Sequence, residues 1–129
     1  MRIEHMALWS RDLESLTAFY IKYFGVKPGL LYENPKKHFI SCFLTFDSGA
    51  RLEIMQKEPL QERKPTDETE SVGYAHFSIS VGSKEAVDVL TACFQSDGLS
   101  ILSGPRWTGD GYYESVVLDP DGNPVEITI

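Results

Sequence analysis

The sequence predicts an α+β fold made of two tandem copies of one module, each about 55 residues long. The segment from Ile3 to Leu8 resembles the segment from Tyr74 to Ile79, and the two align His5 on His76. Both segments alternate like strands, and each is followed by apolar residues at helical spacing. Each copy is therefore expected to begin with a strand and a helix, with its histidine in that first strand.

The end of each copy shows a second internal match. Residues 47–54 align with residues 120–127, Gly on Gly and Glu53 on Glu126. The later segment opens with Asp119-Pro120-Asp121-Gly122, a strong turn sequence, and continues as a strand that alternates apolar and polar residues. The two histidines lie 71 residues apart and the two glutamates 73, so each module carries one His near its start and one Glu near its end.

The first module, about residues 1–56, is predicted to start with a strand over Arg2–Trp9. Ser10 is the expected N-cap of a helix of about fourteen residues that stops at Gly25. A polar stretch around residues 34–37 precedes a strand over Phe39–Phe46, which a turn at residues 47–49 joins to the Glu53 strand. The polar segment of about residues 57–72 is predicted to be a linker.

The second module, about residues 73–129, is predicted to repeat this plan. A strand over Tyr74–Val81 precedes a helix from about Ser83 to Ser96, and Gly98 is the expected stop. The segment Ser103–Gly111 is too rich in glycine for a regular element. Because it holds Arg106 and Trp107, it is predicted to be a substrate-binding loop.

Composition narrows the function classes. At 129 residues and 42% hydrophobic, the chain is expected to form a single domain, residues 1–129, with a real core. A net charge of −7 argues against binding nucleic acid or an anionic membrane. No apolar run reaches transmembrane length and no signal peptide is recognisable, so a cytoplasmic protein is expected. Cys42 and Cys93 lie among apolar residues and are predicted to be reduced core thiols.

Alternation indicates what the histidine and glutamate strands face. In the strand of the second module, Phe77 and Ile79 suit a helix, whereas His76 and the serines at 78 and 80 point the other way. By the repeat, four side chains share the face away from the helices: His5, Glu53, His76 and Glu126. Two neutral imidazoles and two carboxylates bind a first-row divalent metal and leave positions open for substrate.

Each of these residues taken alone is more simply a solvated polar side chain, but four at repeated positions favour a metal site. His38 has no repeat partner and is interpreted as a surface histidine.

With those residues in place, the chain resembles the vicinal oxygen chelate superfamily, and its His-Glu-His-Glu set is most similar to the glyoxalase I (lactoylglutathione lyase) family. The resemblance rests on Ile3-Glu4-His5, on Tyr74-Ala75-His76-Phe77 and on the segment from Asp119 to Glu126. It implies paired βαβββ modules that form a cupped mixed β-sheet with helices on the outer face.

The resemblance also implies a function. His5, Glu53, His76 and Glu126 would bind a divalent metal, zinc or nickel first, with cobalt, manganese or iron as alternatives. Glu126 or Glu53 would be the base that moves a proton between adjacent carbons of a glutathione-methylglyoxal hemithioacetal. The family further implies a homodimer.

The substrate and the reaction stay open at this point. The chain has 12 Lys and Arg against 19 Asp and Glu, few cations for the two carboxylates of glutathione. Predicted substrate contacts are Arg106, Trp107, Phe43, Thr45, Val116 and Leu118. Other reactions on such a scaffold are epimerisation, extradiol-type dioxygenation with three metal ligands, and thiol transfer. A metal-free drug-binding resistance protein would instead use stacking aromatics such as Trp9, Trp107, Tyr112 and Tyr113.

Overall fold

The computed structural model describes residues 1–61 and 72–129, and the chain divides into two compact units, Met1–Arg63 and Lys64–Ile129. Most of the predicted linker, residues 62–71, lies outside the described residues. Within the two described ranges, no helix is long and apolar enough to cross a membrane.

The first unit is a mixed sheet with one helix on it. Its elements are β1 (His5–Trp9), α1 (Leu13–Phe24), β2 (Lys27–Pro28), β3 (Tyr32–Asn34), β4 (Phe39–Thr45) and β5 (Arg51–Lys57). The strand order is β1-β5-β4-β2, with β3 also paired to β4. β1 runs parallel to β5, and the remaining pairs are antiparallel. α1 packs on β4 and β5, so one face of the sheet carries the helix and the other does not.

Local chemistry sets the ends of α1. The N-cap is Asp12, whose carboxylate accepts a hydrogen bond from the Ser15 N–H at 3.1 Å. The prediction of Ser10 as N-cap was wrong, because the Ser10 hydroxyl instead accepts from the Asp12 N–H and the helix begins two residues later. The predicted stop at Gly25 is confirmed: its φ of 63° is left-handed, and its N–H bonds the Ile21 carbonyl.

The second unit repeats this arrangement. Its elements are β6 (Phe77–Ser80), α2 (Lys84–Ser96), β7 (Ile101–Trp107), β8 (Tyr113–Leu118) and β9 (Pro124–Thr128). The strand order β6-β9-β8-β7 matches that of the first unit, again with the outer strand parallel to its neighbour. α2 packs on β7, β8 and β9. The predicted α+β fold with repeated βαβββ modules is confirmed.

Apolar side chains that alternate along the strands meet the helix in each unit. In the first unit Leu16 and Tyr20 of α1 pack with fully buried strand residues such as Leu44 and Ile54. In the second unit the fully buried residues include Val87 and Phe94 of α2 and the strand residues Val117, Val125 and Ile127. Burial of these residues fixes which face each strand turns away from its helix, because a one-residue slip in register would expose the whole set.

The regularity of the 101–107 segment was missed. The prediction of an irregular loop over Ser103–Gly111 was wrong in its first half, because β7 extends through Trp107. β7 pairs with β8 through two register shifts, and the second, between Ser103 and Arg106, spans Gly104 and Pro105. The short strands β2 and β3 were not predicted, while β1 and β6 begin later than expected, at His5 and Phe77.

The two cysteines differ in environment. Cys42 is buried under α1, and that burial raises the pKa of its thiol. Cys93 is exposed on α2, where its sulfur lies 3.8 Å from a carboxylate oxygen of Asp97. Both are free thiols, but the prediction of a core position was wrong for Cys93 because its neighbour Phe94 occupies the inner face of the helix.

Candidate active site

The first unit brings His5 and Glu53 together on the sheet face that carries no helix. Parallel pairing of β1 and β5 places Ala7 opposite Glu53, so His5 lies two residues ahead of the partner of Glu53. Nε2 of His5 is 4.0 Å from Oε2 of Glu53. The imidazole is 40% exposed and the carboxylate only 16%, so the glutamate is the more buried member of the pair. Phe43 of β4 pairs with Glu53 of β5. The Phe43 and His5 rings pack edge to face, with 5.4 Å between their centroids.

The second unit brings His76 and Glu126 together in the same way. Parallel pairing of β6 and β9 places Ser78 opposite Glu126, so the histidine again lies two residues ahead of the partner of the glutamate. Nε2 of His76 is 3.3 Å from Oε2 of Glu126. The side chains are 45% and 14% exposed, close to the values in the first unit. The repeat therefore produces two local sites of the same construction.

The turn that follows β8 sets the register of Glu126. The buried Asp119 carboxylate accepts hydrogen bonds from the backbone N–H groups of Asp121 and Asn123, at 3.0 and 2.8 Å. Gly122 takes a φ of 80°, which a side chain would strain. The tight turn aligns β8 with β9 so that Val116 lies directly opposite Glu126. The turn sequence thus determines which side chains border the carboxylate.

Glu114 is a second carboxylate at the second site, beside Glu126, and the sequence analysis missed it. It lies on β8 and is 9% exposed. Its Oε1 lies 3.2 Å from Nη2 of Arg106, so the two side chains form a salt bridge. Burial raises the pKa of Glu114, as do the charge of Glu126 and a hydrogen bond with it, while Arg106 opposes the rise. Only the pairing of β8 with β7 and β9 reveals this cluster, and the sequence pattern does not contain that register.

The predicted substrate contacts fall into three groups. Phe43 and Thr45 share the face of Glu53, while Val116 and Leu118 share the face of Glu126. Arg106 also lies beside the second site, but its guanidinium is paired with Glu114.

Trp107, unlike the other predicted substrate contacts, does not lie on the sheet face of Glu53 or Glu126. It pairs with Tyr113, at 5.2 Å between ring centroids, and the Tyr113 hydroxyl donates to Asp88 of α2. Its ring therefore lies on the helix side of the sheet.

Within each module, the histidine nitrogen and the glutamate oxygen are spaced as two ligands of one divalent metal would be. Two ligands that bind one ion at about 2.1 Å lie roughly 3 to 3.5 Å apart, which matches the 3.3 Å between His76 and Glu126 and is approached by the 4.0 Å between His5 and Glu53. Over residues 1–61 and 72–129, no group of three or more His, Cys, Asp or Glu side chains lies close enough to hold a metal.

The raised pKa of Glu114 predicts a pH-dependent stability. Since the pKa is above 4.5 in the folded protein, the stabilisation is full below pH 4.5 and is lost as the pH rises through the folded value. Glu114→Gln removes the buried charge and can donate to Glu126. We expect the metal-free variant to exceed the wild type near pH 7 by about 1 kcal/mol in free energy of unfolding, and to lose this advantage towards pH 4.5. Urea denaturation across this range measures it; a variant less stable near pH 7 would show that the pairing with Arg106 outweighs the repulsion.

Comparison with known proteins was made for sequence and for structure. A family model described as the Glyoxalase/Bleomycin resistance protein/Dioxygenase superfamily matches residues 2–127. No curated protein sequence matches the chain.

Solved structures share the fold at low sequence identity. A glyoxalase family protein from Enterococcus faecalis has a TM-score of 0.79 and 23% identity, over 99% of this chain and 97% of that one. The trypanothione-dependent glyoxalase I of Leishmania major has a TM-score of 0.75 and 22% identity, over 99% and 86%. Glyoxalase I from Zea mays has a TM-score of 0.76 and 22% identity, over 98% of this chain but 44% of its own, so this chain spans less than half of the maize protein.

Proposed function

The chain belongs to the glyoxalase/bleomycin resistance protein/dioxygenase superfamily, and from that premise we propose that it is a metal-dependent lyase or isomerase that moves a proton next to a carbonyl group. The observation that carries the proposal is the duplicated pair of an imidazole and a half-buried carboxylate. Both pairs have the same strand offset, with nitrogen-to-oxygen distances of 4.0 and 3.3 Å. A surface histidine and glutamate would have no reason to repeat this geometry on two sheets.

We assign His5, Glu53, His76 and Glu126 as the residues that hold a divalent ion, zinc or nickel first. When bound, such an ion supplies Lewis acidity to two neighbouring substrate oxygens. The low exposure of the two glutamates keeps water from their carboxylates and strengthens their electrostatic interactions. One of them, Glu126 or Glu53, accepts the proton from one substrate carbon and returns it to the adjacent carbon.

The leading substrate is the hemithioacetal of glutathione and methylglyoxal, converted to lactoylglutathione. Two of the structural relatives are glyoxalase I enzymes, which supports this choice of substrate class. Apolar contacts would come from Phe43, Val116 and Leu118, with Thr45 at the edge. Arg106 is the cation for an anionic substrate tail, and the tail would replace Glu114 as its partner.

Metal uptake is the first test of this function. Native mass spectrometry of the purified protein should show one divalent ion for each set of two His and two Glu ligands. The metal-loaded protein should then convert the hemithioacetal, or exchange the α-proton of another chelating carbonyl compound in deuterated water. A wild-type protein that takes up no zinc or nickel would refute the metalloenzyme. Exchange without turnover of the hemithioacetal would exclude glutathione and keep the reaction class.

We further propose a homodimer, with the face that carries the His and Glu pairs contributing to the association. The same native spectrum reads the mass of the assembly beside its metal content. Two chains are expected at micromolar concentration, and the mass of a single chain would contradict this part of the proposal.

Because Cys42 and Cys93 are free thiols, we propose the reducing cytoplasm as the compartment of the protein.

A second candidate function is the binding of a flat aromatic compound without metal. Trp9, Phe39 and Tyr32 form a chain of edge contacts, each about 6.1 Å between centroids, and Trp9 is 47% exposed. Such a surface can stack on a planar ligand. Quenching of tryptophan fluorescence by an aromatic ligand in chelator-treated protein supports this function, whereas the metalloenzyme predicts that substrate binding disappears with the metal.

A further inference from the structure

The Glu4 carboxylate contacts the His5 ring on the side that faces away from Glu53. Oε2 of Glu4 lies 2.5 Å from Nδ1 of His5, the ring nitrogen that points away from Glu53. The other oxygen of Glu4 accepts a hydrogen bond from the Arg51 guanidinium. Arg51 is in turn fixed over the Phe43 ring, at 4.2 Å from its centroid. Glu4, which precedes β1, thus forms one connected group with three side chains from three adjacent strands: His5 of β1, Arg51 of β5 and Phe43 of β4.

This contact determines which nitrogen of His5 carries the proton. A carboxylate can only accept, so Nδ1 donates its hydrogen to Glu4 and Nε2 keeps a free lone pair. Nε2 is the atom that faces Glu53. An imidazole that binds a metal needs that lone pair, and a partner on the second nitrogen fixes the ring orientation and makes the ligand more basic.

We propose that Glu4, held in place by Arg51, is a positioning residue that locks His5 with the proton on Nδ1 and Nε2 turned to the metal. The inference rests on the proposed function and adds a residue to it. Alternation along the predicted strand Arg2–Trp9 would place Glu4 on the face opposite His5. Since β1 begins only at His5, the side chain of Glu4 is free of the strand alternation and turns back to the ring.

The second module has no counterpart of Glu4 and Arg51 beside its histidine. The repeat aligns Glu4 with Ala75 and Arg51 with Pro124, whose side chains offer neither a donor nor an acceptor. The two imidazoles should therefore differ in the metal-free protein. His5 should be held with the proton on Nδ1, while His76, whose Nε2 lies 3.3 Å from the Glu126 carboxylate, should carry its proton on Nε2.

Nitrogen NMR of histidine-labelled, metal-free protein at alkaline pH tests this directly. Wild-type His5 should show the proton on Nδ1. In Glu4→Ala that signal should move towards the Nε2 form, while His76 stays unchanged. Glu4→Gln should keep the Nδ1 form, because the amide oxygen still accepts the hydrogen bond.

Affinity for nickel gives the second readout. Glu4→Ala should weaken it by about tenfold or more, the usual effect of losing such an outer partner, and Glu4→Gln should recover part of the loss. Glu33→Ala is the matched control, since Glu33 is an exposed carboxylate on β3, and it should change neither readout.

The two hypotheses fail separately. His5 in the Nε2–H form in the wild type, or a tautomer unaffected by Glu4→Ala, overturns the role of Glu4 whatever the metal does. Equal nickel affinities of Glu4→Ala and the wild type also overturn it. Absence of nickel uptake by the wild type instead refutes the proposed function, since the tautomer is read without metal.

Discussion

Replacing His76 by Ala is expected to weaken binding of zinc or nickel by at least about tenfold. That lower bound comes from the cost of losing an outer partner of a metal ligand, and the loss of a ligand itself should exceed it. His5→Ala should cause a loss of similar size, because both histidines are proposed ligands and sit at the same strand offset from a glutamate. Competition with a chromophoric chelator measures both affinities.

The third histidine provides a matched control. His38 is exposed at the end of a short 3-10 turn, with a φ of 48°. His38→Asn suits this left-handed position, where Ala would add strain, and should leave the affinity unchanged. If His76→Ala and His38→Asn bind metal equally well, His76 is not a ligand.

The repeat made the positions of the two pairs predictable. Aligning His5 on His76 and Glu53 on Glu126 requires only sequence, and strand alternation then turns each glutamate away from buried neighbours such as Val125 and Ile127. Turn chemistry at Asp119 and Gly122 is equally local. These features were visible because each depends on residues close together in the chain.

What the sequence could not supply is register between distant strands. Glu114 meets Arg106 and Glu126 only because β8 lies between β7 and β9 with one particular alignment. Arg106 and Trp107 lie on opposite faces because they are successive residues of β7, against an expectation that grouped them in one loop. Glu4 was missed for a related reason, since its contact depends on where β1 begins.

The largest effect is expected on turnover, from Gln replacements at the two glutamates of the proposed site. Gln is close in size to Glu and keeps an oxygen that can bind a metal, but it cannot take up the substrate proton. A positioned base contributes about a hundredfold to ten-thousandfold in rate, so the variant at the base should lose roughly a thousandfold in kcat with its metal still bound. The variant at the other glutamate should lose far less.

Both variants therefore need turnover and metal content measured on the same sample. Glu33→Gln makes the same chemical change at an exposed position and should behave as wild type. Loss of turnover in Glu126→Gln alone assigns the base to the second module, where Glu114 and Val116 border the carboxylate. Loss in Glu53→Gln alone assigns it to the first module, beside Phe43. If both metal-loaded variants keep kcat within about tenfold of wild type, neither carboxylate moves the proton and the proposed mechanism is wrong.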